Sequence, residues 1–502
     1  MTSPAQAVIG LDVGTTAVKA GVYLPDGREP AVASRSYPLH TPYPGWAQQD
    51  PDQVVDAALD ALAEVARAAR DADVAVAGVC TATAMHGLLG LDSDGRARTP
   101  LLTYADTRAR RQAQTLRAEH MDVYHRTGTP LHPMAPLAKL RWMHDERPDL
   151  AAAVGTWVTG KEYLLAALTG RVVIDRSSAS ATGLWSLTSG TWDPGACALA
   201  GIDADHLAPI VATDHIVGGL TAHAARRTGL DADVPVVAGA TDGALANVGV
   251  GALGGGIAAV TIGTSGAVRV TVDRPVTDDR MRVFCYALAS DRWVVCGAIS
   301  NGGLWIRWLR SALFLDLRDD EQVVALAEDV PAGSDGMLVL PYLTGERAPQ
   351  WSAAPSGVIF GAQVEHGRGH LVRAGLEGVA HQVRLVTDAL EGCGLAVDTL
   401  RASGGFTRSP LWMQIVCDIL DLPLDVVRVR EATAFGAAVL GMVAVGLLDS
   451  LDDAAGLVEL NQHSRPDARV RAVHDDAHAR YAALVDVLTE PFERLADARD
   501  VR

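Results

Sequence analysis

The chain has 502 residues, which is too long for one hydrophobic core and predicts two or three domains, of which we expect two large ones. Hydrophobic residues make up 49% and charged residues 21%, the balance of a folded globular protein and not of a disordered or collagen-like chain. The formal net charge of −17 disfavours extended contacts with nucleic acid or anionic lipid. Any anionic ligand must therefore be held locally, by backbone N–H groups, a metal ion or a few cations.

The cysteines and the N-terminal sequence bear on the compartment. The six cysteines are scattered, with neither a C-x-x-C pair nor the Cys/His spacing of a zinc site, which predicts reduced thiols in a cytosol. The N-terminus enters a strand pattern without a basic segment, and the sequence contains no run of about 18 apolar residues. We therefore expect a cytoplasmic protein that is neither exported nor membrane-spanning.

The first predicted elements are a hairpin and a helix. Residues 7–12 are apolar, a Gly-Thr-Thr turn follows, and residues 18–24 alternate, which predicts two strands joined by a short polar turn. Apolar residues at helical spacing in 53–70 predict a helix, and residues 74–80 form the pattern of a buried strand. A further apolar strand around residues 233–239 ends in a polar cluster that exposes Asp242, and a helix-like stretch follows. This alternation favours an α/β fold.

The hairpin pattern occurs a second time, half a chain later. Residues 258–272 again predict a strand, a Gly-Thr turn and a strand. Residues 14–19 and 263–269 both begin with Gly, Thr and a second hydroxyl residue, and both end with Ala, Val and a cation, with one residue inserted in the second copy. The repeat predicts two related domains, residues 1–250 and residues 251–490, followed by a polar tail.

Two familiar nucleotide-binding patterns are present but lack what their chemistry needs. Residues 155–161 have P-loop spacing, yet Glu162 stands where a Ser or Thr must reach Mg²⁺, and Trp157 would crowd the phosphates. Residues 249–254 spell G-x-G-x-x-G, but they follow a helix-like stretch and precede a strand, the reverse of the dinucleotide-binding context. We therefore assign a nucleotide to neither segment.

The two hairpin turns are better candidates for phosphate sites. Glycine lets the backbone approach an anion, and successive N–H groups and Thr hydroxyls supply donors without net positive charge. Asp12 comes just before the first turn, where it can hold a hydrated Mg²⁺ against phosphate oxygens. The alternative is an ordinary turn residue, because Asp-x-Gly-Thr is common turn chemistry.

Four motifs occur in order along the chain, with a fifth segment between the last two. The motifs are LDVGTT (11–16), GATDG (239–243), TIGTSG (261–266) and SGGFTRSPLWMQI (403–415), and the additional segment spans residues 357–378. Together they resemble the FGGY carbohydrate kinases over nearly the whole chain. The resemblance implies an α/β fold of two actin/hexokinase-like (ribonuclease H-like) ATPase domains with a ligand cleft between them. It also implies ATP and Mg²⁺ as cofactors and a small sugar or sugar acid as substrate, and it allows a homodimer.

The resemblance assigns roles to the nucleotide-side residues that match its motifs. It implies that Asp12 organises Mg²⁺, that Thr15, Thr16, Gly263 and Thr264 contact phosphates, that Gly303 and Arg307 approach the nucleotide, and that Gly404, Gly405 and Ser409 lie at the adenosine. The alternative for Arg307 is a solvated helix face. Asp242 matches the catalytic base, which the chemistry needs because an alkyl hydroxyl is a poor nucleophile until a base accepts its proton. The alternative for Asp242 is an ordinary Asp-Gly turn.

Two further segments resemble elements at the sugar. Met85 and His86 match the Met-His element that xylulokinases and gluconokinases place beside their sugar. Residues 104–108 resemble a W-x-D-x-R loop whose aspartate, here Asp106, accepts hydrogen bonds from sugar hydroxyls. Tyr104 replaces the usual tryptophan, which puts sugar stacking at that point in doubt.

The choice among sugars depends on a cation. Residues 127–143, 158–170 and 175–185 look more like gluconokinases than xylulokinases. A gluconate carboxylate needs at least one Lys, Arg or His donor, and Lys161 is the first candidate, with an exposed lysine at a helix start as the alternative. Arg108, His86, His132 and Lys139 are the next candidates. We expect ATP-dependent phosphorylation of gluconate to 6-phosphogluconate, with a xylulose or related ketose kinase as the alternative and a non-catalytic actin-like binding protein as a remoter one.

Overall fold

The structure, a computed structural model, describes residues 5–428 and 431–500. The first four residues of the segment used to judge export, and the last two residues of the predicted tail, lie outside this range. The described residues form two α/β domains, each built on a mixed sheet. Within them, every helix is too short or too polar to cross a membrane.

The first half contains most of the short strands and helices. Its strands are β1 (Ala5–Val13), β2 (Ala17–Tyr23), β3 (Ala31–Ser36), β4 (Gln48–Gln49), β5 (Val74–Thr83), β6 (Leu89–Leu91), β7 (Leu101–Leu102), β8 (Thr156–Val158), β9 (Ile174–Asp175), β10 (Ile210–Val211), β11 (Ile216–Gly218) and β12 (Val236–Thr241). Its helices are α1 (Pro51–Asp71), α2 (Arg110–Glu119), α3 (Met121–Thr127), α4 (Pro136–Glu146), α5 (Pro148–Ala152), α6 (Gly160–Thr169), α7 (Arg176–Ser180), α8 (Pro194–Ala200), α9 (Ala222–Thr228) and α10 (Asp242–Gly249).

The second half contains the longest helices. Its strands are β13 (Ile257–Ile262), β14 (Gly266–Val272), β15 (Phe284–Ala287), β16 (Trp293–Ile299), β17 (Leu338–Leu340), β18 (Val358–Phe360), β19 (Thr399–Ser403), β20 (Leu424–Val427) and β21 (Leu460–Ser464). Its helices are α11 (Leu304–Trp308), α12 (Asp320–Ala325), α13 (Arg368–Gly392), α14 (Pro410–Leu420), α15 (Ala432–Ala444), α16 (Ala454–Leu457) and α17 (Arg471–Asp500).

The two large sheets repeat one local arrangement. The first has the order β11-β12-β5-β1-β2-β3, with β1 antiparallel to β2 and parallel to β5. The second has the order β15-β16-β14-β13-β19-β20-β21, with β13 antiparallel to β14 and parallel to β19. The two predicted hairpins are therefore confirmed. The predicted boundary near residue 250 falls between α10 and β13 and stays a prediction.

Helix α15 of the second half packs directly on β1 of the first. The close approach needs glycine, because a Cβ on Gly10 would lie 1.8 Å from the Ala434 carbonyl oxygen. The faces of β1 alternate, so Val8 joins a buried cluster shared with the second half, whereas Ile9 and Leu11 pack with the apolar residues of α1. One continuous core therefore joins the two halves.

The predicted polar tail beyond residue 490 is wrong. Helix α17 continues to Asp500, with Pro491 inside it. Phe492 and Ala496 are buried and belong to a cluster with Tyr342 and Tyr481. Residues four apart share a helix face, so these two apolar side chains hold the last turns of α17 against the second domain.

Candidate active site

Two carboxylates lie at the carboxyl ends of two strands of the first sheet that are separated by a single strand. Asp12 is the next-to-last residue of β1, and Asp242 begins α10 directly after β12. Strand β5 runs parallel between these strands, which brings their ends to one edge of the sheet, where ligands of open α/β sheets bind. Both aspartates are half-buried. Asp12 and Asp242 therefore lie at the same edge of the sheet, with one strand between them.

The surroundings of Asp12 fit a Mg²⁺ ligand. Burial, followed by the charge of Asp242, raises the pKa of Asp12 to about 7, against the charge of Lys19. Asp12 Oδ1 is buried and has no hydrogen-bond partner among the described residues. These residues include no metal-binding cluster of three or more His, Cys, Asp or Glu. A single carboxylate suits Mg²⁺, which fills its other positions with phosphate oxygens and water.

The first predicted phosphate turn is anchored from one side. Tyr37 Oη donates a hydrogen bond to the Gly14 carbonyl, and Gln49 Nε2 donates to the Thr15 carbonyl, both at 2.5 Å. Thr16 is exposed and Thr15 half-buried, and no described residue hydrogen-bonds to either hydroxyl. The Gly14 and Thr15 carbonyl groups are therefore already bound, which leaves the threonine hydroxyls and their backbone N–H groups as the donors of this turn.

The second turn brings together four residues predicted at the nucleotide. Gly303 N donates to the Gly263 carbonyl at 2.6 Å, and Gly302 N donates to the Thr264 carbonyl at 2.9 Å. Arg307 Nη2 donates to Thr264 Oγ1 at 3.1 Å. Arg307 is exposed, but this hydrogen bond holds its guanidinium against the turn. The alternative, in which Arg307 only covers a solvated helix face, does not fit this contact.

The predicted adenosine residues lie beside this turn. Gly404 follows β19 with a φ of 96°, and a Cβ there would be 2.7 Å from the Ile262 carbonyl oxygen. Gly405 is exposed, and a Cβ on it would meet no atom within 4 Å. Ser409 caps α14 by accepting a hydrogen bond from Trp412 N at 3.2 Å. Gly405 therefore borders open space, whereas Ser409 already has a structural role.

His86 is held as a neutral hydrogen-bonding group. It is buried, its φ is 66°, and its Nδ1 lies 2.8 Å from the Ala181 carbonyl oxygen. A carbonyl only accepts, so we assign the proton to Nδ1, which leaves Nε2 as an acceptor. Burial, followed by the charge of Lys139, lowers the pKa of His86 to about 3. His86 can therefore accept from a hydroxyl but cannot neutralise a carboxylate.

Asp106 and Arg108 form a buried ion pair. Asp106 Oδ2 accepts from Arg108 Nη2 at 2.7 Å and from Ala47 N at 2.8 Å. The Arg108 guanidinium carbon lies 3.6 Å from the Trp46 ring centroid. Arg108 Nε also donates to Asp106 Oδ1 at 2.8 Å, so both carboxylate oxygens hold the loop together. Asp106 therefore has fewer free acceptor positions for a sugar hydroxyl than the sequence predicted. Arg108 is likewise no free cation.

Lys161 is a buried structural lysine. Its ammonium lies 2.8 Å from the carbonyl oxygens of Thr81 and Ala238, 3.2 Å from that of Ala240 and 3.5 Å from Asp175. The side chain is 0% exposed, and burial lowers its pKa against the charge of Asp175. An ammonium has three donors, and all are used here. The hypothesis that Lys161 meets a substrate carboxylate does not fit these contacts, and neither does an exposed lysine.

The last two first-half candidates are also engaged. Lys139 is 0% exposed and donates to the carbonyls of His86 at 2.6 Å and Thr103 at 2.7 Å. Burial lowers its pKa to about 7. His132 Nδ1 accepts from Met134 N, and burial, with the charge of an arginine added, lowers the pKa of His132 to about 3. Neither residue is a free cation.

Asp242 is surrounded by cations of the second half. Burial is the largest effect on its pKa and raises it, whereas the charges of Arg269 and, more weakly, Arg347 lower it. Gly243 N donates to Asp242 Oδ1 at 2.7 Å. Asp242 is therefore a carboxylate at a strand end with positive charge opposite it, and not only a turn residue.

Profiles of known families match both halves of the chain. The profile of the FGGY family of carbohydrate kinases, N-terminal domain, matches residues 7–249, and that of the C-terminal domain matches residues 258–445. The chain belongs to the FGGY family of carbohydrate kinases. This FGGY kinase is therefore a sugar kinase, and the alternative of a non-catalytic actin-like protein is set aside.

The FGGY kinase is similar both to gluconokinases and to xylulose kinases. It is 38% identical to the gluconokinase of Bacillus subtilis (strain 168) over 463 residues, 90% of each chain. It is 29% identical to the xylulose kinase of the same strain over 450 residues, 89% of this chain and 90% of the relative. The crystal structures of a gluconate kinase and of a ligand-bound xylulose kinase from Lactobacillus acidophilus are each 29% identical to it, with a TM-score of 0.92 over 98% of this chain and 100% of theirs. Sequence identity is higher to the gluconokinase than to the xylulose kinase of Bacillus subtilis. The two crystal structures match this chain equally well and therefore do not distinguish between the two substrates.

Three residues near Asp242 escaped the sequence predictions. Arg269 was visible only as the cation that ends the second hairpin motif, and neither Arg347 nor Tyr286 lies in a motif used above. Tyr286 Oη and Arg269 Nε would lie 2.7 and 3.2 Å from a Cβ on Gly243. The missed signal is therefore the glycine after Asp242, which leaves space that the side chains of Tyr286 and Arg269 fill.

Proposed function

We propose that this FGGY kinase transfers the γ-phosphoryl group of ATP to the terminal hydroxyl of gluconate, giving 6-phosphogluconate. The observation that carries the proposal is Asp242, a half-buried carboxylate that follows its strand at the same sheet edge as Asp12. The higher identity to curated gluconokinases, 38% against 29% for a xylulose kinase, supports gluconate.

In this mechanism Asp242 is the general base. It accepts the proton of the substrate hydroxyl as that oxygen bonds to the γ-phosphorus. Burial raises its pKa, which makes it a stronger base, and the charges of Arg269 and Arg347 limit that rise and favour the anionic form. The neutral His86 holds the sugar by accepting a hydrogen bond from a hydroxyl at Nε2.

The nucleotide lies between the two turns in this proposal. Thr15 and Thr16 from the first turn and Gly263 and Thr264 from the second supply donors to its phosphates. Gly303 and Arg307 support the second turn, and Gly404 and Gly405 border the adenosine, with Ser409 capping the helix behind them. Asp12 would hold Mg²⁺, which neutralises phosphate charge when bound.

The alternative substrate is xylulose or a related ketose. A neutral substrate needs no cation, and the ligand-bound xylulose kinase from Lactobacillus acidophilus resembles this chain as closely as the gluconate kinase does. We place the reaction in the cytoplasm, where ATP is available and the six free cysteines stay reduced. A homodimer remains a prediction.

A substrate panel tests the proposal directly. ATP consumption is measured with gluconate, xylulose, glycerol, ribulose and rhamnulose at matched concentrations. We expect the highest kcat/KM with gluconate. A higher kcat/KM with xylulose would overturn the sugar-acid assignment and leave the kinase activity in place.

The Gly405→Val variant tests the adenosine assignment. A valine there projects into space that holds no protein atom, so we expect weaker ATP binding with sugar binding to the free enzyme retained. Calorimetry with a non-hydrolysable ATP analogue measures the change. Gly456→Val is the matched control, because Gly456 is also exposed with no atom within 4 Å of a Cβ. Unchanged nucleotide affinity in Gly405→Val would show that adenosine binds elsewhere.

A further inference from the structure

A sugar acid bound here needs a cation, and none of the five candidates predicted from the sequence supplies a free one. A carboxylate taken out of water is unfavourable unless a charged donor meets it. The ammonium, guanidinium and imidazole groups of the five first-half candidates are engaged with protein groups or held neutral, namely Lys161, Arg108, His86, His132 and Lys139. We therefore look for the carboxylate partner among the cations of the second half that lie near Asp242.

Most of the hydrogen-bond donors of Arg269 have no partner among the described residues. It lies on β14 and is half-buried. Its one hydrogen bond to the described residues, from Nη1 to Thr261 Oγ1, is long at 3.5 Å. Its Nε is buried and has no partner among those residues. Most of this guanidinium fork, which suits a carboxylate geometrically, is thus available to a ligand.

The surroundings of Arg269 place it on the sugar side of the base. A Cβ on Gly243, the residue after Asp242, would lie 3.2 Å from Arg269 Nε and 2.7 Å from both Tyr286 Oη and Met85 Cε. Met85 belongs to the predicted sugar motif, and the Tyr286 side chain is fully buried next to Cys296. Arg269 therefore reaches across the cleft to the sugar motif of the first half.

Arg269 lies well away from the phosphate turn along β14. The strand leaves the phosphate turn at Ser265, and Arg269 comes four residues later, about 13 Å along the strand at about 3.3 Å per residue. In the proposed function the phosphates lie at the turn, so Arg269 lies further along the strand than the phosphates and beside Gly243, the neighbour of Asp242. The carboxylate of gluconate is at the opposite end of its carbon chain from the phosphorylated hydroxyl.

Arg347, the other cation near Asp242, is more firmly anchored. Its Nη2 donates to the Ile299 carbonyl at 2.7 Å, and its guanidinium carbon lies 5.3 Å from the Tyr104 ring centroid. We propose that Arg269 binds the carboxylate of the sugar-acid substrate. This proposal rests on the proposed function, because only an acidic substrate brings a carboxylate.

The test compares gluconate with glucitol, which carries an alcohol in place of the carboxylate. For Arg269→Met we expect KM for gluconate to rise about 10-fold or more, the scale of one lost charge-assisted hydrogen bond, with a much smaller rise for glucitol. Arg269→Lys should recover part of the gluconate affinity, because it keeps the charge but not the fork. Arg347→Met is the matched control and should shift both substrates alike. Circular dichroism and ATP-analogue binding check that each variant is folded.

The outcomes separate the two proposals. If the wild-type enzyme prefers xylulose or glucitol to gluconate, both the proposed function and the role of Arg269 fail. If gluconate is preferred but Arg269→Met leaves its KM unchanged, or loses activity equally on both substrates, only the role of Arg269 is overturned. If Arg269→Met does not fold, Arg269→Lys provides the test. A KM for gluconate equal to that of the wild type in this variant would contradict the proposal that the guanidinium of Arg269 binds the carboxylate.

Discussion

The Asp242→Asn variant is expected to lose about 10²-fold or more in kcat, the scale of a general base. An amide cannot accept the proton of the hydroxyl, whereas the phosphate turns and the adenosine region do not depend on Asp242. ATP-analogue affinity should therefore change little. Steady-state kinetics with gluconate and calorimetry of nucleotide binding measure the two effects separately.

The pH dependence gives a second readout of the same base. Because burial raises the pKa of Asp242, wild-type kcat/KM should fall as the pH decreases through that raised pKa, above the usual aspartate range. The Asn variant should lack this acidic limb. Asp231→Asn, at an exposed aspartate ahead of β12, is the control and should behave like wild type. An Asp242→Asn enzyme with more than half the wild-type rate would remove Asp242 from the mechanism.

The Lys161→Met variant should lose stability and show no selective effect on gluconate. Removing one partner of a buried ion pair typically costs about 3–5 kcal/mol in the free energy of unfolding, because the other partner is left uncompensated. Here Asp175 and the carbonyl groups of Thr81 and Ala238 would lose their shared donor. We therefore expect a lower melting temperature and less soluble protein.

Thermal unfolding followed by circular dichroism measures the loss in Lys161→Met. Arg469→Met is the control, because the Arg469 ion pair with Asp467 is largely exposed and such pairs contribute little. A Lys161→Met protein as stable as wild type, with a raised KM for gluconate alone, would restore the hypothesis that Lys161 meets the substrate.

The positions of the two aspartates could be predicted from local sequence. Hairpin alternation fixed β1 and β2, and an apolar strand followed by a polar cluster fixed the end of β12. Carboxyl ends of parallel strands meet at one edge, so Asp12 and Asp242 had to lie close together once their strands joined one sheet. The strands and the positions of the two aspartates at their ends were predictable from patterns of a few neighbouring residues.

The role of Lys161 could not be predicted, because it depends on strand register. The pairing of β12 with β5 shifts between Val237 and Ala240, which leaves ladder carbonyls without strand partners. Lys161 fills that gap from the start of α6, where the Thr159–Glu162 capping box predicts a helix start but not its burial. The role of Arg269 could not be predicted for a similar reason. The alternation of a strand predicts which sheet face a side chain is on, but not which residues from distant parts of the chain pack against that face.

The packing of α15 on β1 has a consequence for how the enzyme is made. The first half leaves the ribosome long before α15, so Gly10 and the rest of that face of β1 wait uncovered until residues 432–444 have been synthesised. The Lys19 ammonium lies 2.6 Å from Glu431 in the finished chain, so the first phosphate turn gains this brace equally late. A nascent chain of about half length should therefore depend on chaperones, and a gene split near residue 250 should yield activity only when both fragments are produced together.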